Sequence, residues 1–241
     1  MNTFERIQDK VEEYKKYYNK RKPYPINNFI AKVNIAKEVN VIVEKNTNNQ
    51  KAKIEARKNY VINLVTALEV FIKDSIKKRG GLFGNDNQRD LLKEKISLYE
   101  AHQLFKHKDL KTEEIIAIYY SFQSLESIDY VLSKLMGKSF LKEAGAIEID
   151  ITNTHSNYFK SSSIQLNKDY PEWQKNIAEV FERRHSYVHD LHFNTILGKK
   201  RLNYLTQNFI AFTIATEEIF RKTENESFEY IMKWLEENKS E

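Results

Sequence analysis

The stretch WQKNIAEVFERRHSYVHD, residues 173–190, decides how the rest of the chain reads. Advancing about 100° per residue from Trp173 places Ile177, Val180, Phe181, Tyr187, Val188 and Leu191 on one side of a helix, a core-facing stripe. On the same wheel Arg184 falls at about 20°, inside that stripe. Glu182, Ser186 and His189 fall on the other side, and Arg183 also lies off the stripe. A guanidinium does not shed its proton, and burying it unpaired is strongly unfavourable. Arg184 therefore has to face a carboxylate, a second subunit or a cleft open to an anionic ligand. Glu69, on another helix, is an available carboxylate.

Composition places that helix in an all-α chain. There are 241 residues, with 6 Gly and 3 Pro, so long helices with few tight turns are expected. Hydrophobic residues make up 41% and charged residues 30%, enough apolar surface for a core under a heavily ionised surface. Cysteine is absent, which excludes disulfides, thiolate metal sites and a cysteine nucleophile and fits a reducing cytoplasm. No apolar run reaches membrane-spanning length, and MNTFERIQDK lacks the apolar segment of a signal peptide, so a cytoplasmic protein with no membrane partner is expected. The net charge of +5 permits a polyanionic partner without requiring one.

Outward from the motif, residues 3–19 and 27–44 read as helices, separated by Pro23 and Pro25, and NTNN (46–49) ends the second. Residues 51–79 should form the longest helix, with Val61, Leu64, Val65, Leu68, Phe71, Ile72 and Ile76 as one stripe and the glycines at 80–81 as its end. Shorter helices follow at about 87–97 and from about 112, the second continuing to Gly137 after a kink. The alternation of Ile147, Ile149 and Ile151 with Glu148, Asp150 and Thr152 predicts a strand, and a small β-hairpin or flap over 146–167. Pro171 suits the first position of the motif helix. Two further helices are expected at about 198–222 and 227–238. The domain organisation is then a helical N-terminal extension, 1–50, and a helical domain, 51–241.

At the end of the motif helix, His185 and His189 sit four apart and can neighbour one another. Such a pair can bind zinc, but no third ligand stands at a recognisable spacing and there is no HExxH glutamate, so neither a metal nor another cofactor is expected. The string Arg184-His185-Ser186-Tyr187-Val188-His189, followed by Asp190, resembles the signature of HEPN domains: an Arg, a polar residue, three more positions, then a His. The helix NYVINLVTALEVFIKDSIKK (59–78) also resembles the first core helix of that superfamily, including the acidic Glu69. The similarity spans about 51–222 and is greatest to the branch found as RNase toxins and anti-phage effectors. The strand signal and the first 50 residues lie outside the family pattern.

The resemblance implies an HEPN-like helical bundle that works as a homodimer, the motif helices of two protomers meeting over one cleft. It implies a metal-independent endoribonuclease using the 2′-hydroxyl of RNA as nucleophile. His189, an imidazole, can take or give the proton. Arg184 offers a charged donor fork to the phosphorane. His185 supports it, with Glu69, Tyr187 and Asp190 around the site, and Arg183 is a candidate RNA contact. The basic run KKYYNKRKPYP (15–25) supplies further candidates in Lys15, Lys16, Lys20, Arg21 and Lys22, interleaved with tyrosines, although a solvated helix end gives the same pattern. The run 152–164, with His155, Tyr158 and Lys160, is a candidate substrate loop, whereas Tyr119, Tyr120 and Phe122 read as core. An inhibitory or sensor protein is an expected further partner. Two readings compete: a non-catalytic HEPN-type dimerisation or ligand-binding module within a defence or toxin–antitoxin complex, and an unrelated helical scaffold with an internal Arg184–Glu69 pair.

Overall fold

The structure, a computed structural model, describes residues 24–80, 83–95, 111–151, 158–159, 161–190 and 197–237. Among the described residues it is an all-α bundle of nine helices with one two-stranded antiparallel hairpin. No helix among them is long and apolar enough to cross a membrane.

The chain enters through α1 (Pro25–Asn46), with Pro25 at its first position. Ile26, Phe29, Ile30 and Val33 make its inner face, and all four join the main hydrophobic cluster. Helix α1 lies in the segment read as an extension, yet it packs along α2 (Gln50–Arg79). Asn49 starts α2, its side-chain oxygen accepting from the amides of Lys51 and Ala52 at 3.0 and 3.4 Å. Every member of the expected α2 stripe is buried. Each such side chain contributes roughly 1.5–3 kcal/mol when fully buried, which makes α2 the spine of the bundle.

Gly80 ends α2 in right-handed geometry, so a left-handed cap is not why glycine stands there. A Cβ at Gly80 would lie 2.2 Å from Cβ of Glu113, so the glycine admits α4 (Thr112–Tyr119) against the end of α2. Before α4 comes α3 (Asn85–Lys95). The run from 112 to Gly137 breaks rather than kinks: residues 120–124 are non-helical, and Ser124 starts α5 (Leu125–Met136) by accepting from Ser127 N–H. Gly137, at φ 66°, closes α5 in the left-handed region.

Helix α6 (Phe140–Ala146) leads into β1 (Glu148–Asp150), paired with β2 (Ser163–Gln165) so that Ile149 and Ile164 face each other and are buried. The hairpin expected from the isoleucine alternation is present. One turn of helix, α7 (Leu166–Asp169), follows. The motif helix α8 (Trp173–His189) starts two residues later than Pro171 suggested. Pro171 sits instead in the turn closed by Trp173 N–H on the Tyr170 carbonyl at 2.7 Å. Gly145 lets Asn167 approach, since a Cβ there would meet its side-chain oxygen at 2.3 Å. That oxygen accepts from the Trp173 indole at 3.0 Å, tying α7 to the head of α8.

The longest helix is α9 (Lys199–Glu237, 39 residues), not α2 (30 residues), and it is continuous where two helices were expected. The stretch 223–226, TENE, is polar but holds no Gly or Pro to interrupt the backbone, so the break inferred from lost amphipathicity does not occur. Helix α8 packs against α2, α5 and α9. Trp173 stacks on Phe212 with ring centroids 5.6 Å apart, and Phe181 meets Phe209 at 5.7 Å.

Candidate functional site

Along α8 the stripe enters the core at Trp173 and leaves it at Arg184. Trp173, Ile177, Val180 and Phe181 are buried, Tyr187 is half-buried against the core, and Val188 is 43% exposed. The wheel placed Val188 on the inner face; the bundle stops short of it. Leu191 and His192 lie outside the described residues.

Arg184 is half-buried, as its place in the stripe requires. Within the chain its partner is not a carboxylate. One terminal nitrogen donates to the side-chain oxygen of Gln123 at 2.9 Å, and the Gln123 amide donates in turn to Glu69 at 3.0 Å. Glu69 also accepts from Lys73 at 2.9 Å. The direct Arg184–Glu69 pair of the competing scaffold reading is thus replaced by a bridge through a neutral amide, while the Glu69 charge is met by Lys73. Among the described residues no carboxylate pairs with Arg184, and its buried Nε has no hydrogen-bond partner. A cation so held keeps its field.

Arg183 is fixed differently. Its Nε donates to Glu179 at 2.7 Å, one turn earlier, and Arg201 on α9 meets the other oxygen of the same carboxylate. Burial pushes the Glu179 carboxyl up, but hydrogen bonds from Arg201 and Arg183 outweigh it and hold it below its ordinary range. Arg201 also donates to Asn176 at 2.9 Å, and the Asn176 amide donates to Asn208 at 3.2 Å, so a polar seam locks α8 to α9. The Arg183 charge is thereby occupied, while its NH1 is buried without a partner.

Beyond these anchors the histidines are free of the core. His185 and His189 are exposed, their rings 4.7 Å apart between centroids. Lys58 Nζ lies 5.9 Å above the Tyr187 ring. Asp190 ends the helix, its amide donating to the Ser186 carbonyl at 2.9 Å. The end of α8 therefore brings together Arg184, His185, Tyr187, His189 and Asp190, with Glu69 joined at one remove.

Lys15, Lys16, Lys20, Arg21 and Lys22 lie outside the described residues, as do His155, Lys160 and the helix expected at 3–19. Tyr158 departs from its expected place in a substrate loop: it is buried, and its hydroxyl donates to Asn34. Tyr120 and Phe122 are core, as expected, and Tyr119 packs partly against it. Tyr24 is exposed beneath Lys78, whose Nζ stands 3.5 Å from the ring centre.

Gln123 is the residue the sequence conceals. It follows Phe122 in a non-helical link, where no periodicity marks its direction. The Glu179–Arg183 spacing of four residues was a legible signal for the second anchor. No family model matches the chain, and neither a curated protein nor a solved structure shows significant similarity to it.

Proposed function

We propose that this protein is a metal-independent endoribonuclease of the HEPN type, acting as a homodimer and serving as a toxin or anti-phage effector. One observation carries the reading: Arg184, without a carboxylate partner among the described residues, stands at the same helix end as two exposed, adjacent imidazoles. RNA supplies its own nucleophile, so the protein needs only a group to move protons and a fixed cation to meet charge developing on phosphate. His189 is assigned the proton transfer, Arg184 the phosphate oxygens and His185 the support of substrate. Exposed Val188, beside the histidines, gives a second protomer an apolar contact at the same place.

A purely structural role for Arg184 draws on its bond to Gln123. That bond does not involve His185 or His189. The distinguishing test uses an RNA oligonucleotide and its all-deoxy counterpart in excess EDTA. The nuclease reading expects 2′,3′-cyclic phosphate and 5′-hydroxyl ends from the RNA and an intact DNA strand. Cleavage of both strands, or of neither, rejects it.

A further inference from the structure

The outer face of α1 carries a row of apolar side chains that the bundle leaves in solvent. Ile35, Val39 and Ile42 are 59%, 54% and 51% exposed. They follow one another at spacings of four and three residues, so they form one stripe along the helix. The inner face of α1 is supplied by Ile26, Phe29, Ile30 and Val33, on the opposite side, so this stripe is not the rim of the core. A single exposed apolar residue is ordinary, but three in a row on one face mark a surface that packs against something.

The sequence ahead of α1, outside the described residues, holds a matching row. Phe4, Ile7, Val11, Tyr14 and Tyr18 stand at spacings of three, four, three and four, the pattern of a heptad seam. Taken backward from Val11 to Phe4 the spacings are four and three, the same as Ile35, Val39 and Ile42 taken forward. An antiparallel pair of helices requires that order. The helix expected at 3–19 leaves five residues, 20–24, before Pro25, and antiparallel helices are joined by about 2–5 residues. The same register sets Tyr14 and Tyr18 opposite Lys32 and Asn28, which line a cavity of about 120 Å³ together with Phe29, Ala67 and Phe71. A second copy of the chain fits the stripe less well. Stable interfaces take roughly 20–30 residues a side, far more than three side chains, whereas a segment on a short tether arrives at millimolar effective concentration.

We propose that residues 3–19 dock as a helix antiparallel to α1, with Phe4, Ile7 and Val11 against Ile42, Val39 and Ile35. The assignment stands whether or not α8 cleaves RNA. Because the chain has no cysteine, two introduced thiols report on each other alone. The test treats two variants of the full chain with a short bis-maleimide: Ile7→Cys/Val39→Cys, and Ile7→Cys/Ala31→Cys, whose second thiol lies about 12 Å further along α1. The first pair links within one chain about tenfold faster than the second or more. In a separate measurement Val39→Asp/Ile42→Asp, at positions already in solvent, raises tryptic cleavage after Lys10 and Lys15 about fivefold or more. Cleavage after the buried Arg79, which reports on the bundle itself, is unchanged. Links between two chains, absence of the link in the first pair, equal rates for the two pairs, or unchanged cleavage after Lys10 and Lys15 overturns the proposal.

Discussion

A guanidinium held by an amide is positioned without being neutralised. Gln123 gives Arg184 a fixed direction while leaving its charge to whatever approaches from solvent. An aspartate or glutamate in that place would have cancelled the field that a phosphate needs. Replacing Gln123 by leucine strands both Arg184 and the second oxygen of Glu69. The expected loss of stability in urea unfolding is roughly 1–3 kcal/mol, with a smaller loss of RNA cleavage than Arg184→Ala gives. Unchanged stability would mean that the amide bridge is not holding the arginine. At this scale the sequence carried Arg184, His185 and His189 plainly, because helical phase and spacing are local properties. It could not carry Gln123, whose partners lie 61 and 54 residues away and are met from a link without periodicity.

Two ion clusters fix the motif helix and the spine to α9. In one, Glu179 serves Arg183 and Arg201. Its folded carboxyl lies below its ordinary range, so its contribution to stability is full above about pH 4.3, the unfolded glutamate value, and is lost as pH falls through the folded value. The stability gap between wild type and Glu179→Gln should therefore be widest at neutral pH and close on acidification; a gap independent of pH would contradict the pairing. In the other cluster Arg79 and Glu217, both 2% exposed at their side chains, meet at 2.7 Å and join the end of α2 to α9. Removing one partner of a buried pair costs about 3–5 kcal/mol, whereas replacing both with apolar groups is often near neutral. Glu217→Gln should lower the unfolding free energy by that order, and Arg79→Met/Glu217→Leu should recover most of it. Elements with strong local signals, such as the apolar stripe of α2 and the isoleucine strand, were legible. The continuity of α9 was not: its polar middle removes the apolar stripe that marks a helix without removing any backbone hydrogen bond.

For the whole molecule, the bundle buries the first part of α8 and leaves its last turn outside, and this is where two copies are proposed to meet. The solution mass should be twice 28.7 kDa, and Val188→Asp should shift it toward the single chain. A wild-type protein that stays monomeric at micromolar concentration cannot build a composite cleft. The most direct test of the central claim is cleavage of a single-stranded RNA in excess EDTA by wild type, Arg184→Ala and His189→Ala. The account predicts cutting by wild type and a fall of about 10²–10³-fold or more in each variant. Wild-type cutting that persists undiminished in either variant would contradict it.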